Sequence, residues 1–283
     1  MFSLRDYFSS AQRLMGTGAH GDHAQCLSSP ERRALILMVE GNIGAGKSTL
    51  CGEMERIGGT EPRPHVVYES VGAHFMEAFY ATPQRYAFAL QMVQQAKRAA
   101  ALLRANDMAA TTATVFDRSV VGDYAFALWN AASGNMSAAD WRLYREQAGD
   151  SVGEALTRAG AHPEANVLVY LSDDAAACHV RQVRRDAAVP ITIDIGYLRG
   201  VHAAHLVCLA CVPRAYRIVE LDWSAYAHPD QCAQTLAALL APTQQLPSLD
   251  RDALAARARA ACADVDSTDS LFLLAQLDGG AAT

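Results

Sequence analysis

The stretch Gly41-Asn42-Ile43-Gly44-Ala45-Gly46-Lys47-Ser48-Thr49 follows the apolar run Ala34-Leu35-Ile36-Leu37-Met38-Val39, with only Glu40 between them. An uninterrupted apolar run is typical of a strand that is buried on both faces of a parallel sheet. The pattern G-x-x-x-x-G-K-[ST] after such a strand indicates a loop whose backbone N–H groups converge on phosphate at the start of a helix. Lys47 is expected to bridge the outer phosphates of ATP, and Ser48 to supply a hydroxyl to Mg²⁺. The sequence therefore predicts a nucleotide site over residues 41–49.

Four further segments predict strands, and helix-like sequence separates each from the next: His65–Tyr68, Ala113–Phe116, Asn166–Leu171 and Arg217–Leu221. This alternation predicts a five-stranded parallel sheet wrapped by helices, an α/β fold in three layers of the P-loop NTPase type. A long helix is expected over Gln84–Asn106, which lacks Gly and Pro. The sequence Ser137-Ala138-Ala139-Asp140 resembles a capping box and predicts the start of another helix that runs to about Gly160.

Bulk properties exclude several classes of protein. Half of the 283 residues are hydrophobic (51%) and 19% are charged, which predicts a folded chain. The net charge of −6 argues against sequence-independent binding of DNA or RNA. No apolar run reaches the roughly 18–20 residues that span a bilayer, so no membrane partner is expected.

Cysteine usage bears on location. The seven cysteines are scattered along the chain, at positions 26, 51, 178, 208, 211, 232 and 262. This pattern fits free thiols in a reducing compartment, so we expect an intracellular, cytoplasmic protein. Mitochondria are the alternative, because residues 2–15 weakly resemble a presequence, although they carry Asp6.

One core domain is the expected organisation. Residues 1–33 contain a linker rich in Gly, Ser and His, and they predict a flexible N-terminal extension. Residues 34–242 hold all of the predicted strands and the phosphate loop. Residues 243–283 are expected to form a helical or flexible tail.

Charged residues end the second and third predicted strands. Glu69 follows the second strand, and Asp117 and Arg118 follow the third. Parallel strands end at one edge of the sheet, where ligands bind in α/β proteins. Glu69 is suited to accept a proton from a hydroxyl, Asp117 to hold Mg²⁺, and Arg118 to stabilise a phosphoryl group in transfer. Taken singly, each is also an ordinary charged strand end.

Three arginines, Arg181, Arg184 and Arg185, lie within five residues on the helix that follows the fourth strand. They predict a lid that neutralises the charge on the γ-phosphoryl oxygens and keeps water from ATP when it closes. The alternative is a solvated basic helix face.

Together these residues resemble the deoxynucleoside kinase family, which includes deoxycytidine, deoxyguanosine and mitochondrial and viral thymidine kinases. The resemblance runs from about Leu35 to Asp222. It rests on GNIGAGKST, on Glu69, on the spacing of Tyr80, Tyr86, Gln91 and Arg98, on DRSVVGDYAF, on the arginine lid and on YLRGVHAAHLVCL. It implies an enzyme that phosphorylates the 5′-hydroxyl of a deoxynucleoside in nucleotide salvage, with ATP and Mg²⁺, as a homodimer.

The resemblance also implies a role for each matching residue. Glu69 would be the general base for the 5′-hydroxyl, and Arg118 would steady that oxygen and the phosphoryl group. Gln91 would hydrogen-bond the base, and Tyr80 would reach the sugar 3′-hydroxyl. Arg181 and Arg185 match the lid arginines of the family, Lys47 matches the lysine of its phosphate loop, and Asp117 stands where the family has an acid near Mg²⁺.

Arg98 and Asp123 bear on the choice of base, because they resemble the pair in enzymes for deoxycytidine and purine deoxynucleosides. A carboxylate accepts a hydrogen bond from an exocyclic amine, but it would face the carbonyl of thymine. The pair therefore favours deoxycytidine, with a broader range and a viral-type thymidine kinase left open. The alternative is an ion pair that reads no base.

Two positions depart from the family pattern. The family's lid glutamate, which helps to hold the 3′-hydroxyl, is replaced by a stretch in which only Asp186 is acidic, so either Asp186 substitutes or the sugar is held more loosely. Leu90 stands where an aromatic residue usually precedes the base-reading glutamine. Stacking on the base would then come from Phe116, Phe126 or Tyr86.

Three rival interpretations remain. His202, His205, Cys208 and Cys211 have metal-like spacing, but on a helix each step of three residues drifts by about 60°, so four ligands cannot converge on one ion. A non-catalytic accessory protein would keep the fold without turnover, although the phosphate loop and Glu69 are intact here. A nucleoside monophosphate kinase would need positive charge beside Glu69, and residues 70–73 offer none.

Overall fold

The computed structural model shows an α/β fold with one parallel sheet of five strands. It describes residues 35–57, 64–107, 113–160, 166–186, 193–212, 216–222, 237–239 and 248–279. The strands are β1 (Ile36–Gly41), β2 (His65–Val67), β3 (Thr114–Asp117), β4 (Asn166–Ser172) and β5 (Arg217–Asp222). The helices are α1 (Lys47–Ile57), α2 (Ala73–Ala81), α3 (Pro83–Asp107), α4 (Val120–Ala132), α5 (Ala138–Gly160), α6 (Ala175–Arg185), α7 (Ile195–Cys211), α8 (Arg251–Cys262) and α9 (Ser267–Leu277).

The strand order is β2-β3-β1-β4-β5, and every neighbouring pair is parallel. The predicted fold class is therefore confirmed. The chain leaves β1 toward β2 and β3 on one side and later returns to β4 on the other. The carboxyl end of β1 is thus the point where the strand order reverses, which is where open α/β sheets bind their ligands.

Both faces of β1 are buried, as the unbroken apolar run predicts. Ile36 and Met38 belong to the larger core, which includes residues of α3, α4 and α7, whereas Leu37 and Val39 belong to a second core beneath α1. The strand begins and ends later than the predicted Ala34–Val39. Its ladder with β4 starts at the pair of Ile36 and Asn166 and continues to the pair of Gly41 and Leu171. The other strands lie within one residue of their predicted bounds.

The two long helices form as the sequence predicts. Helix α3 extends one residue beyond the expected Gln84–Asn106 at each end. At the start of α5 the Asp140 N–H donates to Ser137 Oγ at 3.1 Å, and the Ser137 N–H donates back to Asp140 Oδ2 at 3.4 Å. This reciprocal pair is a capping box, and α5 ends at Gly160. Within the described ranges no helix has the length and apolar content to cross a membrane.

Helices α8 and α9 fall in the expected C-terminal tail, and their buried side chains belong to the larger core. Leu254 and Leu273 are fully buried there against residues of α7 and other helices. Arg257 of α8 also forms an ion pair with Glu220 of β5, with Nη2 2.7 Å from Oε1. This part of the chain therefore contributes directly to the main core. The proposed extension over residues 1–33 lies outside the described residues.

Gly200 of α7 offers a test of the helix packing. A Cβ atom at this position would overlap the indole ring of Trp129 on α4. We expect Gly200→Ala to lower the free energy of unfolding by about 1–3 kcal/mol, measured by urea denaturation. The matched control is Gly149→Ala in α5, where no atom lies within 4 Å of the added Cβ. That variant should gain about 0.5–1 kcal/mol because alanine favours the helix. Equal losses in both variants would contradict this packing.

Candidate active site

The phosphate loop has the backbone geometry that its glycines allow. Gly41, Gly44 and Gly46 all have positive φ, and Gly44 has φ +82°. A Cβ atom on Gly44 would overlap the carbonyl of Cys178 at the start of the lid helix α6, so only glycine fits at this position. The Asn42 side-chain amide donates to the Leu198 carbonyl at 2.9 Å. The loop is thereby joined to α6 and α7.

Lys47 begins α1 and is buried beneath the loop. Its Nζ donates to the Asn42 carbonyl at 2.6 Å. Burial lowers the pKa of Lys47 to about 7, and the positive charge of Arg118 adds to this effect, while Glu69 and Asp117 oppose it. A phosphate group at the loop would favour the charged ammonium, which is the state that binds phosphate.

Ser48 and Asp117 together fit a magnesium site. Ser48 Oγ donates to Asp117 Oδ2 at 2.6 Å, and Asp117 Oδ1 is buried without a hydrogen-bond partner among the described residues. Mg²⁺ takes one or two protein oxygens and completes its shell with water and substrate phosphates. Bound here, the ion would neutralise charge on the β- and γ-phosphates. In the part of the chain that the structure describes, no group of three His, Cys, Asp or Glu residues could hold a metal alone.

Two arginines hold the carboxylate of Glu69, which follows β2. Arg98 Nη2 lies 2.8 Å from Glu69 Oε1, and Arg118 Nε lies 3.0 Å from Oε2. Burial raises the pKa of Glu69, but Arg118 and Arg98 outweigh that effect and hold the pKa below its usual value. Glu69 is therefore an ionised acceptor at neutral pH, as a base for a hydroxyl proton has to be.

Arg98 of α3 is buried behind the cavity wall rather than in it. Besides Glu69 it contacts Asp123, with Nε 2.6 Å from Oδ2, and it donates from Nη1 to the Asp117 carbonyl at 3.0 Å. Asp123 does line the cavity. Burial raises the pKa of Asp123 to about 6, although Arg98 opposes this shift. The predicted pair therefore forms, and it is joined to the proposed base.

Arg118 has φ +74°, a left-handed backbone that is uncommon for a residue other than glycine. This conformation directs its side chain across the end of β1. Nη1 donates to the Gly41 carbonyl at 3.2 Å, Nε donates to Glu69, and the guanidinium carbon lies 4.6 Å from the centre of the Phe126 ring. Arg118 therefore stands between the phosphate loop and Glu69, as a group that acts on the transferred phosphoryl must.

Glu40, the residue before Gly41, is a member of the site that the sequence analysis missed. Its carboxylate is fully buried, and Oε1 accepts from the N–H groups of Ser119 at 2.6 Å and Gly122 at 3.0 Å. Burial raises its pKa, but nearby His205 and Arg118 and the bond to Ser119 outweigh burial and lower the pKa to about 2. An acid inside an apolar strand is a usable signal, because a buried carboxylate requires partners.

The two histidines of α7 contact other groups of the protein, and the two cysteines of this helix lie in the core. His205 Nδ1 donates to the Val201 carbonyl at 2.9 Å, and Nε2 lies 3.6 Å from Glu40 Oε2. His202 Nδ1 lies 3.4 Å from the Tyr170 hydroxyl. Cys208 and Cys211 are buried thiols in the larger core. His205 thus serves the site indirectly, as the neighbour of Glu40.

A cavity of about 480 Å³ opens beside these groups at the carboxyl edge of the sheet. The predicted site residues that line it are Ile43, Gly44, Lys47, Ser48, Glu69, Tyr80, Gln91, Asp117, Arg118, Asp123 and Arg185. Phe126 and Leu90 also line it, whereas Phe116 and Tyr86, the other candidates for stacking, do not belong to the described lining. Tyr197, which the sequence analysis did not single out, lies on the wall with its ring 6.3 Å from that of Tyr80.

The lid arginines contact aspartates. Arg181 donates from Nε to the Gly44 carbonyl at 2.8 Å and pairs with Asp173. Arg185 makes two bonds of 2.7 Å to Asp186, which also accepts from the side-chain amide of Gln182. Asp186 lines the cavity, and residues 187–192, the rest of the stretch that departs from the family pattern, lie outside the described residues. The lid helix is thus in contact with the phosphate loop.

A phosphate loop at the reversal point of a parallel sheet, with a carboxylate and an arginine lining the adjoining cavity, defines a P-loop phosphotransferase. The family model for deoxynucleoside kinases matches residues 37–234. This chain belongs to the deoxynucleoside kinase family. It is therefore a transferase of nucleotide salvage that uses an ATP-type nucleotide to phosphorylate the 5′-hydroxyl of nucleosides.

Similar proteins are named for different nucleosides. Deoxycytidine kinase 2 of Gallus gallus is 26% identical over 209 residues, which are 65% of this chain and 77% of that protein. Deoxyguanosine kinase of Lactobacillus acidophilus is 31% identical over 140 residues, 49% of this chain and 58% of that protein. Deoxyadenosine kinase of Dictyostelium discoideum is 23% identical over 208 residues, 71% of this chain and 78% of that protein.

Solved structures support the same fold. Deoxyadenosine kinase from M. mycoides with bound dATP has a TM-score of 0.59 at 18% identity, with 72% of this chain and 97% of that chain covered. The same enzyme with dCMP and dCDP has a TM-score of 0.57 at 16% identity, with the same coverage.

Glu40 generates a prediction about stability and pH. Glu40→Ala leaves the buried N–H groups of Ser119 and Gly122 without an acceptor and should lower the free energy of unfolding by about 3–5 kcal/mol. Glu40→Gln keeps an acceptor oxygen and should lose less. Because the folded pKa of Glu40 is about 2 and the ordinary value is 4.5, the stability from ionised Glu40 is fully present above pH 4.5 and is lost as the pH falls toward 2.

Urea denaturation of the wild-type protein and of Glu40→Gln from pH 7 to pH 3 measures this effect. The difference between the two proteins should stay constant down to about pH 4.5 and then shrink. A difference that grows on acidification would show that ionised Glu40 does not stabilise the fold.

Proposed function

We propose that this protein transfers the γ-phosphoryl group of ATP to the 5′-hydroxyl of deoxynucleosides, with deoxycytidine preferred within a broad range. The observation that carries the proposal is the position of Asp123. Asp123 lines the cavity, and its Oδ2 is held by Arg98, the same residue that binds Glu69. Arg98 thereby contacts both Asp123, the group proposed to select the base, and Glu69, the group proposed to accept the hydroxyl proton.

The chemistry assigned to Glu69 follows from its charge. An ionised carboxylate accepts a hydrogen bond from the 5′-hydroxyl and takes its proton as the bond to phosphorus forms. In the same step the 5′-oxygen attacks the γ-phosphorus, and ADP leaves with the electrons of the broken bond. Arg118 lies between Glu69 and the phosphate loop and is suited to stabilise the oxygens of the phosphoryl group in transfer.

Lys47, Arg181 and Arg185 are proposed to act on the phosphates, and Ser48 and Asp117 to hold Mg²⁺ beside them. For this role the two lid arginines have to exchange Asp173 and Asp186 for phosphate oxygens, which bind a guanidinium in a similar way. Asp186 and Tyr80 both line the cavity, which supports the interpretation in which Asp186 replaces the family glutamate near the 3′-hydroxyl.

The choice of base is argued from Gln91 and Asp123. The amide of Gln91 can both donate and accept, so it suits the edge of several bases. The carboxylate of Asp123 accepts from an exocyclic amine, which cytosine and adenine have and thymine lacks. Because the similar proteins are named for three different nucleosides, the preference for deoxycytidine rests on Asp123 and not on the comparisons.

Two further parts of the proposal concern assembly and location. A homodimer packed through α3 and α5 is the assembly that the family resemblance implies, and Val93 and Leu143 are exposed apolar side chains on these helices. A cytoplasmic location fits the buried thiols of the described cysteines. The accessory-protein alternative is disfavoured, because Lys47, Glu69 and Arg118 surround one cavity.

The direct test is ATP-dependent phosphorylation of deoxycytidine, thymidine, deoxyadenosine and deoxyguanosine by the purified protein. Deoxycytidine is expected to react fastest, and Glu69→Gln should lose about 10²–10⁴-fold in kcat because it cannot accept the proton. Glu146→Gln, at an exposed position on α5, is the matched control and should retain activity. A preference for thymidine would contradict the proposed role of Asp123 in selecting the base. The absence of any reaction with the four nucleosides would favour the accessory-protein alternative.

Asp123 also predicts a pH dependence. Because its pKa is raised to about 6, the carboxylate gains a proton as the pH falls through 6 and becomes a weaker acceptor for the cytosine amine. The kcat/KM for deoxycytidine should fall about tenfold for each pH unit below 6. Asp123→Asn should have lower activity and lack this step. If the two proteins share one pH profile between 5 and 8, Asp123 does not read the base in its ionised form.

A further inference from the structure

His205 of α7 and Glu40 of β1 meet in the interior of the protein. Glu40 Oε1 accepts from two backbone N–H groups, but Glu40 Oε2 and His205 Nε2 are buried and have no other hydrogen-bond partner among the described residues. The two atoms lie 3.6 Å apart, and neither side chain is more than 1% exposed. Because an unpaired polar atom in the interior is costly, each of these atoms is the partner that the other requires.

The other ring nitrogen of His205 shows which group the imidazole presents to the carboxylate. His205 Nδ1 lies 2.9 Å from the Val201 carbonyl, which can only accept, so Nδ1 carries a hydrogen. A neutral ring would then present the lone pair of Nε2 to the negative charge of Glu40, whereas an imidazolium presents an N–H group. The geometry therefore fits a buried ion pair in which His205 donates to the carbonyl on one side and to Glu40 on the other.

Glu40 connects His205 to Arg118 through the backbone. Glu40 Oε1 accepts from the Ser119 N–H at 2.6 Å, directly after Arg118. The N–H of Arg118 itself donates to the Val39 carbonyl at 3.0 Å. Between these two bonds the backbone of Arg118 has φ +74°, a conformation that a residue other than glycine keeps only where its surroundings fix it. A shift of the Glu40 carboxylate would therefore move the Arg118 side chain.

An aromatic ring provides a second connection between His205 and Arg118. The Phe126 ring of α4 lies 5.6 Å from the imidazole, centre to centre, with the two planes at 85°. The guanidinium carbon of Arg118 lies 4.6 Å from the centre of the same Phe126 ring, where the electrons of the ring attract the positive charge. His205 therefore contacts both supports of Arg118: the carboxylate that fixes its backbone and the ring that contacts its guanidinium.

The other histidine of α7 provides a contrast. His202 lies three residues earlier on the helix, and its Nδ1 is 3.4 Å from the Tyr170 hydroxyl of β4. Neither His202 nor Tyr170 belongs to the described lining of the cavity. A histidine on α7 is therefore not by itself connected to the site, and His202 is the matched control for His205.

We infer that His205 is a positioning residue for phosphoryl transfer, which holds Arg118 through Glu40 and Phe126 in the orientation that meets the γ-phosphoryl group. His205 does not belong to the described lining of the cavity, so it acts through these residues and not on a substrate. The inference rests on the proposed role of Arg118 and extends the site to the buried residue of α7 behind it. Because Arg118 is proposed to act on the group in transfer, loss of His205 should lower kcat and leave KM unchanged.

The test compares two substitutions whose amides differ in reach. In His205→Asn the shorter amide can donate to the Val201 carbonyl in place of Nδ1 but falls short of Glu40, whereas in His205→Gln the longer amide can donate to Glu40. His205→Asn should lower kcat about 10- to 100-fold, because a misplaced group mainly costs rate, with KM for ATP and for the best deoxynucleoside within about twofold of wild type. His205→Gln should recover most of the loss, and His202→Asn should keep the wild-type kcat.

A double-mutant cycle separates positioning from a general loss of structure. Arg118→Ala alone should lower kcat about 10²–10³-fold, as removal of one stabilising donor does. On that background His205→Asn should change kcat by less than about twofold, because the side chain that it positions is gone. A defect in folding would instead lower the activity of both backgrounds by the same factor.

The inference is overturned if His205→Asn keeps the wild-type kcat, if it raises KM instead, or if its full loss persists on the Arg118→Ala background. If His205→Asn does not fold, His205→Leu, which has an apolar side chain of similar volume, replaces it in the cycle. Full activity of Arg118→Ala would contradict the proposed function of that arginine and the inference with it. A normal loss in Arg118→Ala, with the full loss from His205→Asn added to it, contradicts only the role of His205.

Discussion

The buried carboxylate of Glu40 is the contact on which the rest of the site depends. It ends the apolar part of β1, lies directly before the phosphate loop, and accepts from two N–H groups at the start of α4. A carboxylate on an apolar sheet face is costly unless it is paired, and here those N–H groups and His205 of α7 offset the cost. The same contact secures the turn in which Arg118 has a left-handed backbone. The Glu40 side chain thus connects the central strand, two helices and the turn that holds Arg118.

Around Glu40 the site gathers charges of both signs, because parallel strands end at one edge. Burial and neighbouring charges have different net effects on the pKa of each residue, and these differences give the residues different chemical properties. Two arginines hold Glu69 ionised, whereas burial prevails at Asp123 and raises its pKa. Burial also lowers the pKa of Lys47, which a bound phosphate would reverse. A single charged edge therefore provides a place for phosphate, an acceptor for a hydroxyl proton and a carboxylate suited to an amine.

The sequence was most informative where the pattern is local. The phosphate loop, the five strands and the Ser137–Asp140 capping box are set by residues within a few positions of one another, and all are found as expected. An ion pair between Arg98 and Asp123 was also anticipated, as the alternative in which the two residues read no base. Two features escaped prediction: the bond of Arg98 to Glu69, and the burial of Glu40 beneath Ser119, 79 residues away. Each depends on which residues the fold brings together across long stretches of chain.

By itself, then, the sequence determined the fold class, the nucleotide loop and the family, because glycine positions, apolar periodicity and motif spacing act over short ranges and tolerate few alternatives. Only the tertiary structure decided that Arg98 stands behind the cavity while Asp123 lines it, and that Glu40 belongs to the site. The reason is physical: burial and hydrogen-bond satisfaction are properties of a packed interior, and a glutamine or glutamate has the same letters in a sequence whether its polar atoms meet water, a partner or an empty cavity.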